Sequence, residues 1–394
     1  MKVLVANLGS TSFKYRLFDM VTETQLARGS VERIGSSCSP CAVEIGGQTK
    51  KLEVSVPDHA VAVRQCLSQL TDTEIGCLDS AADVAAIGFK AVHGGRYSDV
   101  QRVTEDVLVA MEEMNEVAPA HNPPYIAAMR LLAEKFPELP LIASFETGFH
   151  GTIEESLRNY AIPQDWAERL HVKRWGFHGA SHGYIANRTA ELLGHGNLRV
   201  ISCHLGGSNS LCAIKDGKSV ATTMGMSPQT GLPHNNRVGD FDPFALPLLM
   251  RDSGQSLTQV LDTLANRSGL LGVSGVSGDI RDLEKAAAEG HERAILALDL
   301  FAKEIRRHLG GLLVELGGAE LVVFTGGIGE NGTLVRERVC RDLQGLGIAL
   351  DLQANSSARG EMRISHPDSQ TQVWIIPTNE EIIVARQAKQ LLEG

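Results

Sequence analysis

Apolar and polar positions along the chain form two similar units, each of which predicts a β-hairpin. Residues 2–8 are an apolar run, and after a polar turn residues 13–19 resume with a period of two. Residues 199–204 lead into a glycine-rich turn in the same way, and residues 211–215 continue as a second strand. A strand, a tight polar turn and another strand form the pattern of a hairpin.

A second pair of units follows in the same order and predicts an internal duplication. Apolar residues run into glycines at 84–95 and again at 321–332. We therefore expect two α/β domains, one made of residues 1–150 with 385–394 and the other of residues 151–384. The glycine-lined turns of the two domains are expected to face each other across a cleft and to hold the two ends of one polyphosphate.

Helices are predicted between the strands. Residues 122–136 place apolar side chains at helical spacing, with Asn122 as the expected N-cap. The last helix follows Thr378, which has capping-box spacing to Glu381. This assignment leaves Glu380 available for a functional site.

Length, composition and charge exclude several classes of protein. With 394 residues, of which 43% are hydrophobic, the chain exceeds the ~250–300 residues at which a single core stops growing. The formal net charge of −10, without a basic block, argues against nucleic acid as a partner. No stretch approaches the ~20 apolar residues of a membrane span. Seven cysteines, with no signal peptide recognised, indicate reduced thiols in the cytoplasm.

The glycine-rich turns predict the binding of an anion. Such turns expose consecutive backbone N–H groups, and glycine lets a phosphate approach closely. Lys14, Lys90 and Arg237 are cations near the turns, and His178 lies at a polar position beside an apolar segment. Phosphoryl transfer requires mainly positioning and neutralisation of charge. These residues therefore point to phosphoryl transfer, with Glu380 as a ligand of Mg²⁺.

Two other motifs support competing interpretations. Residues 327–332 fit the dinucleotide fingerprint G-x-G-x-x-G, and Asp351 follows about 20 residues later, where such folds place an acid for the ribose. No βαβαβ half surrounds this motif, however. His178 and His182 have the i, i+4 spacing of zinc ligands, but a third ligand with matching spacing is missing.

The order of the motifs resembles that of the acetate kinase family, which belongs to the actin–Hsp70–sugar-kinase superfamily. The resemblance covers nearly the whole length and rests on NLGSTSFK, AVHGG, HNPP, GFHGASH, HLGG, TMGMSP, RVGDFDP, LLGVSGVSGDIRDL, FTGGIGEN and IPTNEE. It implies an α/β fold of two duplicated ribonuclease-H-like (actin-like ATPase) domains. The implied reaction is ATP + acetate ⇌ ADP + acetyl phosphate, by direct in-line transfer in a homodimer.

The resemblance also implies a role for each matching position. Asn7 and Glu380 match magnesium-site residues, His178 and Arg237 match the residues that stabilise the phosphoryl group in flight, and His121 matches another active-site histidine. The implied nucleotide-binding residues are Lys14, His204, Leu205, Gly206, Gly207, Ser208, Asp279, Ile280, Arg281, Gly327, Ile328, Gly329, Glu330 and Asn331.

Several positions depart from the family pattern, mostly where the acyl substrate is expected. Lys90 stands in place of an arginine that holds the substrate carboxylate, and the catalytic Glu146 stands in place of an aspartate. Ala120 replaces a leucine, which would enlarge the acyl pocket and favour a longer acid. The loop of Gly207 has lost an asparagine, and residues 234–237 replace M-G-T-R.

Alternative functions stay open from the sequence. One is a kinase or phosphatase of the same superfamily with an acceptor other than a carboxylate. Another is an inactive nucleotide-binding module, although such a module does not need phosphoryl-transfer groups, and the chain retains Asn7, Lys14, His178, Arg237 and Glu380. The third is the NAD-binding oxidoreductase that the dinucleotide fingerprint would indicate.

Overall fold

The computed structural model describes residues 1–119 and 121–394, which form two compact units. Unit 1 comprises Met1–Gly148 and Asn379–Gly394, and unit 2 comprises Phe149–Thr378. The C-terminal helix as a whole therefore belongs to unit 1. Within the described ranges, no helix combines the length and the apolar character needed to cross a bilayer.

The strands and helices of the described residues have the following bounds, in chain order. The strands are β1 (Lys2–Gly9), β2 (Ser12–Asp19), β3 (Thr24–Glu32), β4 (Ser39–Ile45), β5 (Gln48–Val54), β6 (Val84–Ala91), β7 (Gln101–Arg102), β8 (Leu141–Phe145), β9 (Arg199–Leu205), β10 (Asn209–Lys215), β11 (Lys218–Thr222), β12 (Leu321–Thr325), β13 (Met362–Arg363) and β14 (Gln372–Ile375). The helices are α1 (His59–Leu70), α2 (Glu105–Glu112), α3 (Asn122–Lys135), α4 (Glu155–Arg158), α5 (Gln164–Arg169), α6 (Gly179–Leu193), α7 (Leu246–Ser253), α8 (Leu257–Asn266), α9 (Gly269–Ser274), α10 (Ile280–Ala288), α11 (Glu292–Leu316), α12 (Gly326–Asn331), α13 (Thr333–Cys340), α14 (Leu352–Ser357) and α15 (Glu380–Glu393).

Each unit contains one mixed sheet, and the two sheets share a topology. In unit 1 the order is β5-β4-β3-β2-β1-β6-β8-β7, and in unit 2 it is β11-β10-β9-β12-β14-β13. The strands β1, β2 and β3 are antiparallel, as are β9, β10 and β11. The strands β6 and β8 run parallel to β1, as β12 and β14 run parallel to β9. The predicted duplication of an actin-like α/β domain is confirmed.

The sheet of unit 1 is covered on both faces. Leu4, Ala6 and Leu8 of β1 lie in the hydrophobic core that also contains side chains of α1 and α3. Successive residues of a strand point to opposite faces, and α15 contacts β1, β6 and β8. Gly88 of β6 permits this close packing, because a Cβ atom there would lie 2.9 Å from Cγ1 of Val384. Each fully buried aliphatic side chain contributes about 1.5–3 kcal/mol.

The sheet of unit 2 packs against its longest helix. Helix α11 contacts β9, β10 and β11 as well as α9, α10 and α13. Phe301 and Ile305 of this helix are fully buried, together with Val322 and Phe324 of β12. The carboxyl ends of β9 and β12 are thereby fixed beside each other, and the glycine turns that follow them come close together.

Two predicted caps are wrong, for the same physical reason. Asn122 is the first residue of α3 and not its N-cap; its side-chain amide donates to the carbonyl oxygens of His93 and Met111, at 2.8 Å each. At α15 the N-cap is Asn379, whose side chain accepts from the amide of Ile382 at 3.2 Å. Spacing along the chain identifies candidate caps, but these polar side chains are engaged by partners that the sequence does not place beside them.

Glu381 correspondingly has no part in a capping box with Thr378. Its carboxylate lies 3.5 Å from Nε of Arg16 on β2, an ion pair within unit 1. Glu380, the residue that the capping argument left available, has a different and more buried partner, which is described below.

Candidate active site

A first group of polar side chains in unit 1 lies at the carboxyl ends of its parallel strands. Asn7 is near the end of β1, Lys90 near the end of β6, and Glu146 directly follows β8. Glu380 is the first residue of α15, and Tyr125 comes from α3. The carboxyl ends of the strands are where open α/β sheets bind ligands. These five residues are called the Lys90 cluster below.

Lys90 is the cation of this cluster. Its Nζ lies 2.5 Å from Oε2 of Glu380 and 3.9 Å from Oε1 of Glu146. Burial acts to lower the pKa of Lys90, but the negative charges of Glu146 and Glu380 outweigh it and raise that pKa above its usual value. Lys90 is therefore an ammonium ion, and one of its three N–H groups is donated to Glu380.

Asn7 is held in place by Tyr125. The Tyr125 hydroxyl donates to Oδ1 of Asn7 at 2.9 Å and accepts from the backbone N–H of Leu8 at 3.2 Å. Tyr125 lies on the face of α3 for which the hydrophobic pattern of residues 122–136 predicts only apolar packing. A tyrosine among aliphatic residues on such a face is itself a signal, because its hydroxyl needs a polar partner.

The other predicted residues of unit 1 are Lys14, His121 and Ala120. Lys14 lies opposite Asn7 in the register of β1 and β2, but its side chain is 66% exposed and lies 3.9 Å from Glu32. His121 is the N-cap residue of α3 and makes no side-chain cap hydrogen bond. Ala120 lies outside the described residues.

In unit 2 the predicted nucleotide loops come together at the ends of β9 and β12. Gly326 adopts φ +76°, and a Cβ atom there would lie 2.6 Å from the carbonyl oxygen of Leu205, so only glycine fits. Oδ1 of Asn209 accepts from the amide of Gly206 at 2.9 Å, and its Nδ2 donates to the carbonyl of Pro233 at 2.9 Å. The loop 204–208 is thus braced from both sides.

The third predicted segment, residues 279–281, is joined to this loop through Asn235. The amide of Asn235 donates to the carbonyl oxygen of Gly207 at 3.3 Å. A Cβ atom on Gly278 would lie 2.4 Å from the carbonyl oxygen of Asn235. Asp279 is the N-cap of α10 and forms an ion pair with Arg281 at 2.6 Å. All three nucleotide segments therefore belong to one side of unit 2.

The turn after β12 is supported from beneath by a buried arginine that the sequence did not single out. Arg336 is 1% exposed, and its Nη1 donates to the carbonyl oxygens of Gly329 and Glu330 at 2.9 and 3.0 Å. Its Nε donates to Oδ1 of Asn355 at 2.7 Å. Burial lowers the pKa of Arg336 to about 10. Because this value is still well above neutral pH, the guanidinium stays charged and donates to these carbonyl oxygens.

The dinucleotide fingerprint has a structural explanation. Residues 326–331 form the short helix α12, and Asp351 caps α14 by accepting from the amides of Gln353 and Ala354, at 2.9 Å each. A capping role for Asp351 accounts for an acid at this position without a ribose.

Arg237 is a cation that has no carboxylate partner among the described residues. Its Nη1 donates to the carbonyl oxygen of Pro228 at 3.1 Å and to Oγ of Ser208 at 3.4 Å. Among the described residues, no carboxylate lies within ion-pair distance of Arg237, and burial lowers the pKa of its guanidinium. A desolvated positive charge beside the loop 204–208 favours the binding of an anion.

His178 lies next to the same strands, at the start of α6. Its backbone adopts the left-handed region with φ 58°, which is uncommon for a residue other than glycine. Its ring is stacked on His204 with centroids 4.2 Å apart, and Nδ1 lies 2.8 Å from Oγ of Ser210. His182, weighed as a zinc ligand, is fully buried and has both ring nitrogens next to the hydroxyls of Ser202 and Ser210. Both nitrogens therefore have protein partners.

The chain is similar over nearly its whole length to known proteins. The chain matches the model of the Acetokinase family over residues 2–386. It is 41% identical to "Acetate kinase" of Bacillus subtilis (strain 168) over 393 residues, which cover 99% of both chains. The fold matches the crystal structure of Porphyromonas gingivalis acetate kinase with a TM-score of 0.90, 38% identity and 99% coverage of both chains. It also matches a propionate kinase from Francisella tularensis subsp. tularensis SCHU S4 with a TM-score of 0.88, 32% identity and 98% coverage of both chains.

Proposed function

Because the chain belongs to the acetokinase family, we propose that it is an acyl kinase, which transfers the γ-phosphoryl group of ATP to acetate. The products are ADP and acetyl phosphate. The observation that carries the proposal from the structure is Arg237, a partly buried cation with no carboxylate beside it among the described residues and with the glycine loop 204–208 as its neighbour.

The nucleotide is assigned to unit 2. The loop 204–208, the segment 279–281 and the turn 327–331 lie on one side of that unit and expose glycine backbone to a phosphate. We also assign Lys14 to the phosphates. Its ammonium lies 3.9 Å from Glu32, and its long, exposed side chain can leave this ion pair when a nucleotide binds.

The acyl substrate is assigned to the Lys90 cluster. Nζ of Lys90 has three N–H groups, of which the described residues take one, at Glu380. The remaining donors suit the carboxylate of acetate. Glu146, at 5% exposure, keeps Lys90 charged and directs its side chain, and we assign His121 to the same substrate.

The chemical step is a displacement at phosphorus. A carboxylate oxygen of acetate forms the new bond to the γ-phosphorus, and the bond to the β–γ bridging oxygen breaks, so that ADP leaves with the electron pair. Arg237 neutralises charge on the transferring group, and its planar guanidinium can donate to two oxygens at once. His178 donates a hydrogen bond to the same group.

Magnesium fits the oxygen donors of the Lys90 cluster. Glu146 and Glu380 carry two negative charges against the one positive charge of Lys90, so the cluster by itself would repel an anionic substrate. Asn7 and Glu380 supply the amide and carboxylate oxygens that Mg²⁺ prefers, and Mg²⁺ commonly takes only one or two protein carboxylates besides phosphate oxygens. When bound, the ion would neutralise charge on the β- and γ-phosphates.

The function is tested by trapping the product with hydroxylamine, which converts an acyl phosphate into a hydroxamate. With ATP and Mg²⁺ we expect hydroxamate from acetate, and the panel should include propionate and butyrate because a propionate kinase shares the fold. Chelation of the metal is expected to stop the reaction. If no acid yields hydroxamate while alcohols or sugars stimulate ADP release, the acceptor is not a carboxylate and the proposal fails.

A second copy of the chain is the proposed partner. Unit 2 exposes an apolar patch around α7 and α8, in which Phe244 is 87% exposed. Monomeric proteins rarely leave such a patch uncovered, and most soluble oligomers are symmetric pairs of the same surface. The members of the patch are Phe241, Phe244, Leu248, Leu249, Leu257 and Leu261.

Replacing Phe244 by aspartate is expected to convert the dimer to a monomer, because the charge would have to be buried without a partner. The measurement is the mass in solution by analytical ultracentrifugation at micromolar concentration. Val21→Asp is the matched control, since Val21 is 78% exposed in unit 1 and lies outside the patch. A dimer that persists in Phe244→Asp, or a wild type that is monomeric, would contradict this interface.

The proposed compartment is the cytoplasm. All seven cysteines are free thiols, and five of them are buried. A structure that relies on reduced thiols, together with ATP as the donor, suits a reducing environment.

A further inference from the structure

Three buried side chains form a row of hydrogen bonds that leads from His178 into the interior of unit 2. Oγ of Ser210 lies 2.8 Å from Nδ1 of His178 and 2.8 Å from Nε2 of His182. Nδ1 of His182 in turn lies 2.9 Å from Oγ of Ser202. Ser202, His182 and Ser210 are each 0% exposed. These three residues and His178 are called the serine–histidine line below.

The number of protons along the line determines the direction of its hydrogen bonds. Burial lowers the pKa of His182 well below its usual value, so its ring is neutral and has one N–H group and one lone pair. The hydroxyl of Ser202 has a single acceptor among the described residues, Nδ1 of His182. A buried hydroxyl that donates to no acceptor is costly. Ser202 therefore donates to Nδ1 of His182, and the ring proton of His182 lies on Nε2.

The remaining two bonds follow from this assignment. Nε2–H of His182 donates to Oγ of Ser210, and Ser210 has only one proton of its own. That proton is then donated to Nδ1 of His178. With Nδ1 acting as an acceptor, the proton of a neutral His178 ring must lie on Nε2.

We propose that Ser210 and His182 are positioning residues that hold His178 in its Nε2–H tautomer, so that the ring donates to the transferring phosphoryl group as a neutral hydrogen-bond donor. This inference deepens the proposed function and rests on it for the role of His178. Neither Ser210 nor His182 touches the substrate in this account. Both act through His178, whose ring is also held from one side by His204.

The opposite arrangement would change the chemistry of His178. If Ser210 donated to His182, Nδ1 of His178 would have to donate to Ser210 instead. A neutral His178 would then present a lone pair at Nε2 and repel a phosphoryl oxygen. Only a doubly protonated His178 could donate from Nε2 in that arrangement, and the proton of Ser202 would lose its described acceptor.

The tautomer can be measured without any reaction. In protein with ¹⁵N-labelled histidine, long-range ¹H–¹⁵N correlation spectra distinguish Nδ1–H, Nε2–H and doubly protonated rings, and a His178→Gln variant assigns the signals. At pH 7.5 we expect His178 as the Nε2–H tautomer. A spectrum of the Nδ1–H or doubly protonated form would overturn the proposal. Because no substrate is present, this result is independent of whether acetate is the acceptor.

Kinetics provide the second test. Ser210→Ala is expected to lower kcat by about 10–100-fold, since each tenfold corresponds to ~1.4 kcal/mol and a wrong tautomer in a catalytic triad has a larger effect. KM for ATP and for acetate should change by less than about threefold, because the donor acts in the transition state. Ser210→Thr keeps the hydroxyl and is expected to recover most of the loss.

Ser219 offers a matched control. Its hydroxyl lies 2.8 Å from Nδ1 of His150, which forms another buried serine–histidine pair in the same unit. Nε2 of His150 lies 2.9 Å from the backbone carbonyl oxygen of Phe177, so this pair ends at a backbone atom. Ser219→Ala should leave kcat within about threefold of the wild type while removing a similar hydrogen bond. Equal losses in the two alanine variants, or an unchanged kcat in Ser210→Ala, would show that Ser210 has no positioning role. The wild-type spectrum decides the question if Ser210→Thr does not fold.

Discussion

Replacing Arg237 by methionine is expected to lower kcat for acetyl phosphate formation by about three orders of magnitude or more. An arginine that neutralises a transferring phosphoryl group is worth about 10³–10⁵ in rate in other phosphoryl-transfer enzymes. Arg237 is suited to this role because its guanidinium is partly buried beside Ser208 and has no carboxylate partner among the described residues. Release of ADP in the presence of acetate measures the effect.

The same variant should not lose stability. In the ligand-free protein the charge of Arg237 is desolvated and has no ion pair within the part of the chain that the structure describes. Such a charge costs free energy. Arg237→Met is therefore expected to have an unchanged or higher Tm. Arg237→Lys keeps the charge without the planar fork, so its activity should lie between those of the wild type and the methionine variant. A kcat for Arg237→Met within tenfold of the wild type would show that the guanidinium does not serve the reaction.

Replacing Arg336 by methionine should have the opposite signature, a large loss of stability. The substitution leaves the carbonyl oxygens of Gly329 and Glu330 and the side chain of Asn355 without their described donor. Removing one partner from a buried, charged hydrogen-bond network costs about 3–5 kcal/mol. At about 2–4 °C per kcal/mol for a domain of this size, Tm should fall by roughly 10 °C.

Two further variants sharpen this expectation. Arg336→Lys should recover little of the stability, because one ammonium cannot reach all the acceptors that the planar guanidinium reaches, at Gly329, Glu330 and Asn355. Arg341→Met is the control, since Arg341 is 60% exposed and pairs only with Glu337 at 3.4 Å among the described residues. An exposed pair contributes about 0–1 kcal/mol. If Arg336→Met and Arg341→Met melt within 2 °C of each other, the support of the turn after β12 by Arg336 is refuted.

Arg237 and Arg336 could not be told apart by local sequence alone. Each is followed by residues of mixed character and lies near a glycine-rich segment. Arg237 was expected as a cation near the glycine turns, and the family resemblance assigned it the same role, whereas Arg336 was not expected at a site. The difference lies in the acceptors. The guanidinium of Arg336 donates to backbone carbonyls and to the side chain of Asn355. Arg237 donates to one hydroxyl and one carbonyl, and none of the described residues places a carboxylate beside it.

The sequence motifs identified the charged residues of the Lys90 cluster but not their partners. Lys90, Glu146 and Glu380 were each expected at a site, and the structure brings them together. What the motifs did not indicate is that Lys90 is the shared counter-ion of both carboxylates, or that Tyr125 orients Asn7. Charge balance in the cluster depends on these distances, and so does the argument for a divalent cation.

Two polar side chains at helix starts bind partners other than the predicted caps. Asn122 and Glu381 both fit local rules for helix termini, yet each has a partner elsewhere in unit 1, at His93 and Arg16 respectively. A capping hydrogen bond contributes about 1 kcal/mol. A buried amide hydrogen bond or an ion pair near the sheet contributes a similar free energy. The local capping rule alone therefore does not determine which partner the side chain binds.

The sequence by itself determined the duplicated strand–turn–strand plan, the positions of the glycine turns and the family, because periodicity and motif order are properties of the chain. Only the tertiary structure decided which charged side chains form ion pairs and which groups donate and accept in the buried hydrogen bonds. Lys90 and Glu380 are 290 residues apart in the chain and 2.5 Å apart in space, and Ser202, His182 and Ser210 meet only when α6 lies against β9 and β10. Burial follows from a local pattern, whereas the partner of a buried polar atom is set by the packing of distant segments.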